Sequence, residues 1–140
     1  MFKILMAVLA WSAASNASAA ALTVKQSDVA NKIREVSLEQ VRLNGQNTTI
    51  LTDSKGMSVY TFDLDSAGNS NCKGGCLKEW PVVAVASDEA LPAPFGKIRG
   101  NDGQTQLTLN GLPLYNYDDD KNPGDVFGNY PKWHPVIVTQ

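Results

Sequence analysis

Hydrophobic and polar positions along this chain fall into short alternating runs broken by turn residues, the pattern of a β-rich domain with little helical periodicity. Between Leu22 and Leu43 the signal is mixed. Ser27 is placed to cap a short helix near 28–36 whose Val29, Ile33 and Val36 share a face, yet Val36 and Leu38 alternate as in a strand. Beyond it the pattern sharpens. Thr48 to Thr52 is β-branched and apolar, Asp53-Ser54-Lys55-Gly56 is a turn, and Met57 to Phe62 reads as the returning strand of a hairpin. A Pro- and Gly-containing stretch from Leu91 to Gly103 follows, with a second short helix expected near 74–80 before it. Gln104 to Leu109 and Leu112 to Tyr117 then flank Asn110-Gly111, a two-residue hairpin turn.

The second hairpin repeats the first. Gly56 and Gly111, Tyr60 and Tyr115, Phe62 and Tyr117, Asp63 and Asp118, and Asp65 and Asp120 are each 55 residues apart. Each copy then reaches a tryptophan, a proline and a valine-rich strand, Trp80-Pro81-Val82-Val83 and Trp133-His134-Pro135-Val136-Ile137-Val138, with the tryptophans 53 apart. Two repeats are too few for a solenoid. They predict a mainly β, single compact domain built from two similar hairpin-containing repeats. The divisions are 1–19 as a cleaved signal, 20–47 as an N-terminal segment, 48–90 as repeat 1 and 91–140 as repeat 2.

Residues two apart on a strand face the same way, so Tyr60 and Phe62 share a face, as do Tyr115 and Tyr117. Val59, Leu112 and Leu114 occupy the opposite faces. Strands apolar on both sides are covered on both sides, and these aromatics read first as core, with tyrosine hydroxyls that need buried partners.

Composition and charge add the compartment. Lys3, the apolar run Ile4 to Trp11 and the small residues ending in Ala17-Ser18-Ala19 have the layout of a secretory signal cleaved after Ala19. Eight apolar residues are too few to span a bilayer, which takes roughly 20. No later stretch is long or apolar enough, and no cysteine at the cleavage site could take a lipid. The expectation is therefore a periplasmic or secreted protein with neither a transmembrane segment nor a lipid anchor. Losing Lys3 moves the formal net charge from -2 to -3, and a mildly acidic chain without a basic cluster argues against nucleic acid as a partner. In an oxidising compartment Cys72 and Cys76 are expected to form a disulfide, with Gly74 and Gly75 letting so small a ring close. A redox-active or metal-binding pair is the alternative, but Cys-x-x-x-Cys matches neither the Cys-x-x-Cys redox motif nor haem attachment.

Tyr60-Thr61-Phe62-Asp63-Leu64-Asp65 and Tyr115-Asn116-Tyr117-Asp118-Asp119-Asp120 share the pattern Tyr-x-aromatic-x-x-Asp. With Asn71-Cys72-Lys73-Gly74-Gly75-Cys76 before Trp80-Pro81, and Ile98 to Gln106 leading into Gly111-Leu112-Pro113-Leu114-Tyr115, the stretch from Leu51 to Val138 resembles a family of secreted or lipoprotein repeats that carry this motif. The resemblance implies an extracytoplasmic domain whose function is poorly defined. Many members look like lipoproteins, and this chain departs from them in lacking the lipidation cysteine.

Among polar groups the acids after each aromatic pair suggest chemistry most. Asp63 and Asp65, and Asp118, Asp120 and Asn122, place oxygen ligands at alternate turn positions as calcium loops do, although neither copy completes an EF-hand and the same residues make ordinary turns. His134, the only histidine, is the candidate ligand for copper or another transition metal, with Met57 or the second acidic loop as its nearest soft or charged company. No cofactor is required by any motif. A redox or hydrolytic enzyme is the weakest reading, since there is no Gly-x-Ser-x-Gly elbow and one histidine would have to serve any triad. The leading expectation is an exported, non-catalytic module that binds a small ligand or a partner protein, or is structural in the cell envelope. A metal-binding module is the alternative.

Overall fold

The computed structural model describes residues 22–140. The export signal and its cleavage site lie outside the described residues. The fold is mainly β, with nine strands and two short helices among the described residues. Strand β1 (Thr23–Lys25) runs into helix α1 (Gln26–Val29), and β2 (Val36–Leu43) and β3 (Gln46–Asp53) form a long hairpin. The mixed N-terminal segment thus holds both elements, with the helix earlier and shorter than 28–36 and the strand beginning at Val36. Asn44 and Gly45 turn that hairpin with φ of 52° and 80°. Positive φ at both central residues is what a two-residue hairpin needs, and Asn-Gly tolerates it.

Strand β4 (Tyr60–Phe62) leads to helix α2 (Gly75–Glu79). The remaining strands are β5 (Phe95–Arg99), β6 (Thr105–Leu109), β7 (Leu112–Pro113), β8 (Trp133–Pro135) and β9 (Ile137–Thr139). The stretch after Leu91 is therefore more than a connection, because it contains β5, the antiparallel partner of β6. Asn110-Gly111 turns β6 into β7, again with positive φ at both residues.

Strand order is β1-β9-β3-β2 in one sheet, β5-β6-β7 in a second, and β4 pairs with β8. The pairings show that the repeats exchange strands. The tryptophan strand of repeat 2 lies on the hairpin of repeat 1: Phe62 faces Trp133, Tyr60 faces Pro135, and Leu51 N–H donates to Val136 O at 3.0 Å. The tryptophan strand of repeat 1 lies in turn on the hairpin of repeat 2: Val82 bridges Tyr115, and Leu107 N–H donates to Val83 O at 2.8 Å. Where the two hairpins meet, Tyr60 and Tyr115 donate N–H to each other's carbonyl at 2.8 and 3.0 Å, as a pair astride a local two-fold axis would.

Alternation along these central strands divides the interior in two. Val59, Leu114, Val83 and Val136 point into an aliphatic core with Leu51, Leu107 and Leu109. Their neighbours Tyr60 and Tyr115 point the other way, into an aromatic core with Trp80, Tyr117, Trp133 and Cys72. The expectation that these strands are covered on both faces holds.

Candidate functional site

The aromatic core is a column of rings with the same two-fold character as the backbone. Trp80 and Trp133, at matching places in the two repeats, stack at 3.9 Å with planes 1° apart. Phe62 stacks on Trp133 at 4.1 Å, and Tyr117 on Trp80 at 4.3 Å. Tyr60 meets Trp80 edge-on at 5.3 Å, and Tyr115 meets Trp133 edge-on at 5.1 Å. Offset and edge-on contacts of this kind add about 0.5–1.5 kcal/mol each beyond the area they bury. All four motif aromatics are thus brought together in one cluster.

The duplicated acids hold the duplicated tyrosines, and they do so across repeats. Tyr60 donates its hydroxyl to Asp120 at 2.7 Å, and Tyr115 donates to Asp65 at 2.6 Å. Each carboxylate is also fixed by a backbone donor, Phe127 N–H to Asp120 at 2.8 Å and Asn71 N–H to Asp65 at 2.6 Å. Gly128 N–H donates to the Tyr60 oxygen at 3.1 Å, while the Ser70 hydroxyl lies 2.6 Å from that of Tyr115. Burial pushes both tyrosine hydroxyls well above the usual phenol range, and the hydrogen bond to a carboxylate adds to the rise. Burial also raises Asp65 and Asp120, against the pull of the phenol and backbone donors.

Two residues that the sequence does not single out as site residues, Gly128 and Asn101 of the Ile98 to Gln106 motif, complete this arrangement. A Cβ on Gly128 would lie 2.8 Å from both Trp80 and Tyr60, so only glycine lets that segment cross the ring column. Asn101 ties the second repeat to the first through Ser70 O and Cys72 O, at 3.1 and 3.0 Å. The 53-residue register that aligns Trp80 with Trp133 also aligns Gly75 with Gly128, and was the available signal for Gly128. Cys72 and Cys76 form a disulfide, with Cys72 buried against the aromatic core.

The remaining candidate ligands are dispersed. His134 Nε2 lies 3.0 Å from Asp63 Oδ1 across the β4–β8 pair. Asp118 and Asn122 are exposed, and the carboxylate of Asp125 accepts the backbone N–H groups of Lys121 and Asn122, each at 2.9 Å. Met57, considered beside His134, is half-buried at the opposite end of its strand run and donates its N–H to Asp53. Among the described residues no three His, Cys, Asp or Glu side chains converge as a metal-holding cluster; Asp65 and Asp120 each accept from a tyrosine hydroxyl and a backbone N–H, whereas Asp118 is exposed.

Beside the tryptophans the surface opens into a groove of about 410 Å³, lined by Glu79, Trp80, Tyr130, Pro131, Lys132 and Trp133. The indole N–H groups of both tryptophans have no acceptor among the described residues. Among the described residues the enclosed side-chain atoms without a hydrogen-bond partner are Glu35 Oε1 and Gln106 Oε1.

Fold and site together define a class: a two-repeat β module in which each half completes the sheet of the other and the duplicated motif joins them. The chain belongs to the family described as a secreted repeat of unknown function, whose model matches residues 42–84 and 96–137, more than half of the chain. Each matched segment spans a hairpin and the strand it lends to the other repeat. No curated protein matches the chain, and no solved structure does. No helix of the described residues is long and apolar enough to cross a membrane.

Proposed function

We propose that this chain is an exported, non-catalytic module of the periplasm or extracellular face, and that it acts by binding a partner. One observation carries the reading. The groups that acid–base or nucleophilic chemistry would need are already committed to structure: Asp65 and Asp120 to tyrosine hydroxyls, Cys72 and Cys76 to each other, His134 to Asp63. A catalytic acid or base must reach a reacting group in a cleft, and these carboxylates are turned into the fold. The secreted character of the family and the signal-like residues 1–19 support export.

The reading is tested with the purified chain against ester, amide, glycoside and phosphoester substrates and redox dyes. No turnover is expected that His134→Ala or Asp63→Asn removes. Sustained turnover lost in either variant would overturn the proposal.

A further inference from the structure

We infer that the Tyr60–Asp120 and Tyr115–Asp65 pairs are proton-coupled one-electron sites, joined to the surface at Tyr130 by the ring column and oxidised by an outer-sphere oxidant of the high-potential metal-complex class. This activity goes beyond the binding role proposed above and does not depend on it. A phenol is oxidised far more readily when its proton leaves with the electron, so the proton acceptor must already be in place. Both tyrosines have one in Oδ2 of the paired carboxylate, 2.7 Å from the Tyr60 hydroxyl and 2.6 Å from that of Tyr115. Burial, which raises both carboxylates, makes them better proton acceptors, and burial of the phenols closes the route through a free phenolate.

The pairs keep their hydrogen bonds when the proton crosses. In each carboxylate the backbone donor sits on the other oxygen: Phe127 N–H bonds Oδ1 of Asp120, and Asn71 N–H bonds Oδ1 of Asp65. Oδ2 is left to receive the proton. The phenolic oxygens are held as well. Gly128 N–H donates to that of Tyr60 at 3.1 Å, and Ser70, whose oxygen accepts from Cys72 N–H, offers its own hydrogen to that of Tyr115 at 2.6 Å. After transfer the new carboxylic acid donates back to the phenoxyl oxygen, so the same partners satisfy both states. Packing requires a partner for each hydroxyl. It does not require that phenol and carboxylate both stay fully partnered after the proton has moved, in both repeats.

Electrons leave these phenols through rings in contact. Tyr60 lies 5.3 Å from Trp80 and Tyr115 lies 5.1 Å from Trp133, and the two indoles stack at 3.9 Å. Tyr117 stacks on Trp80 at 4.3 Å and meets Tyr130 edge-on at 5.8 Å, where the column comes out into solvent with Tyr130 47% exposed. Tunnelling falls off exponentially with distance, and every step here joins neighbouring rings. The Tyr117 hydroxyl is 3.3 Å from the exposed Asp119, a poorer proton acceptor, so the oxidising equivalent passes inward to Tyr60 and Tyr115. In the whole step the oxidant gains one electron by way of Tyr130. The O–H bond of Tyr60 or Tyr115 breaks, and an O–H bond forms at Oδ2 of Asp120 or Asp65. A neutral phenoxyl radical and a neutral carboxylic acid remain.

The test is flash oxidation of the folded chain with photogenerated tris(bipyridine)ruthenium(III), read by transient absorption and by electron paramagnetic resonance of freeze-trapped samples. A long-lived neutral phenoxyl radical is expected, coupled to a hydrogen-bonded proton that exchanges with D2O far more slowly than that of an exposed phenol. Asp65→Asn combined with Asp120→Asn keeps an acceptor for each hydroxyl but cannot take its proton, and is expected to lower the yield of that radical about tenfold or more. Near-ultraviolet dichroism shows whether the double variant is folded; if it is not, the proton exchange of the parent radical decides alone. Chains joined through dityrosine as the main product would place the oxidising equivalent on exposed Tyr130 and overturn the inference. So would a radical on tryptophan alone, rapid exchange of the bonded proton, or an undiminished phenoxyl yield in the folded double variant.

Discussion

At Tyr60 and Asp120 a single hydrogen bond has two consequences, because neither group can be left alone in a buried site. Losing one partner of a buried hydrogen bond to a charged group costs about 1.5–3 kcal/mol. Tyr60→Phe and Tyr115→Phe are each expected to lower stability by that amount in a denaturant titration, with the slope unchanged. Gly128→Ala is expected to cost as much or more, since its methyl group would meet Trp80 and Tyr60 at 2.8 Å. The raised tyrosines also set a pH dependence. Their folded-state pKa values lie above the unfolded value of 10.0, so the stability they contribute is complete below about pH 10 and is lost as pH rises beyond it. Absorbance at 295 nm should show the phenols of Tyr60 and Tyr115 ionising only as the chain unfolds. Ionisation of all four tyrosines in the folded chain before any loss of dichroism would contradict the buried lock.

The elements show which physical signals were legible along the chain. Asn110-Gly111 announced its hairpin because Leu107, Leu109 and Leu114, which the core buries, and the half-buried Leu112 flank it with apolar residues. Asn44-Gly45 makes the same turn between β2 and β3 but was passed over, because much of that hairpin is half-buried or exposed and leaves no clean alternation. Strand β5 hid in the same way behind Pro92, Pro94 and Gly96. The cap of repeat 1 depended on local chemistry that could be read directly: two cysteines four apart with glycines between them. Closing so short a loop stabilises by about 2 kcal/mol on the chain-entropy account. The paired variant Cys72→Ala, Cys76→Ala should melt lower by a corresponding amount, while the oxidised parent should show no titratable thiol when denatured. Two free thiols in the parent would reverse that assignment.

At the scale of the whole molecule, duplication was visible as five matches at a spacing of 55, whereas exchange was not. Sequence spacing places Asp65 five residues from Tyr60 and Asp120 sixty away, and nothing in that pattern says that the distant acid is the partner. Strand exchange is a property of three-dimensional closure, and long-range pairings leave no local signature. It has a cooperative consequence. Removing residues 133–140 takes the tryptophan strand from repeat 1, so the truncated chain should lose the sharp thermal transition entirely and not retain one stable half. Metal is a separate matter with its own outcome. With Asp65, Asp120 and Asp125 occupied by internal donors, calcium, zinc or copper is expected to leave the melting temperature unchanged, and a rise that follows metal concentration would favour a metal-binding module. The most direct test of the account compares two double-mutant cycles, one pairing Tyr60→Phe with Asp120→Asn across the repeats and the other pairing Tyr60→Phe with Asp65→Asn inside one repeat. The reciprocal lock predicts a coupling of about 1 kcal/mol or more for the first pair and within about 0.5 kcal/mol of zero for the second. Coupling confined to the pair within repeat 1 would contradict it.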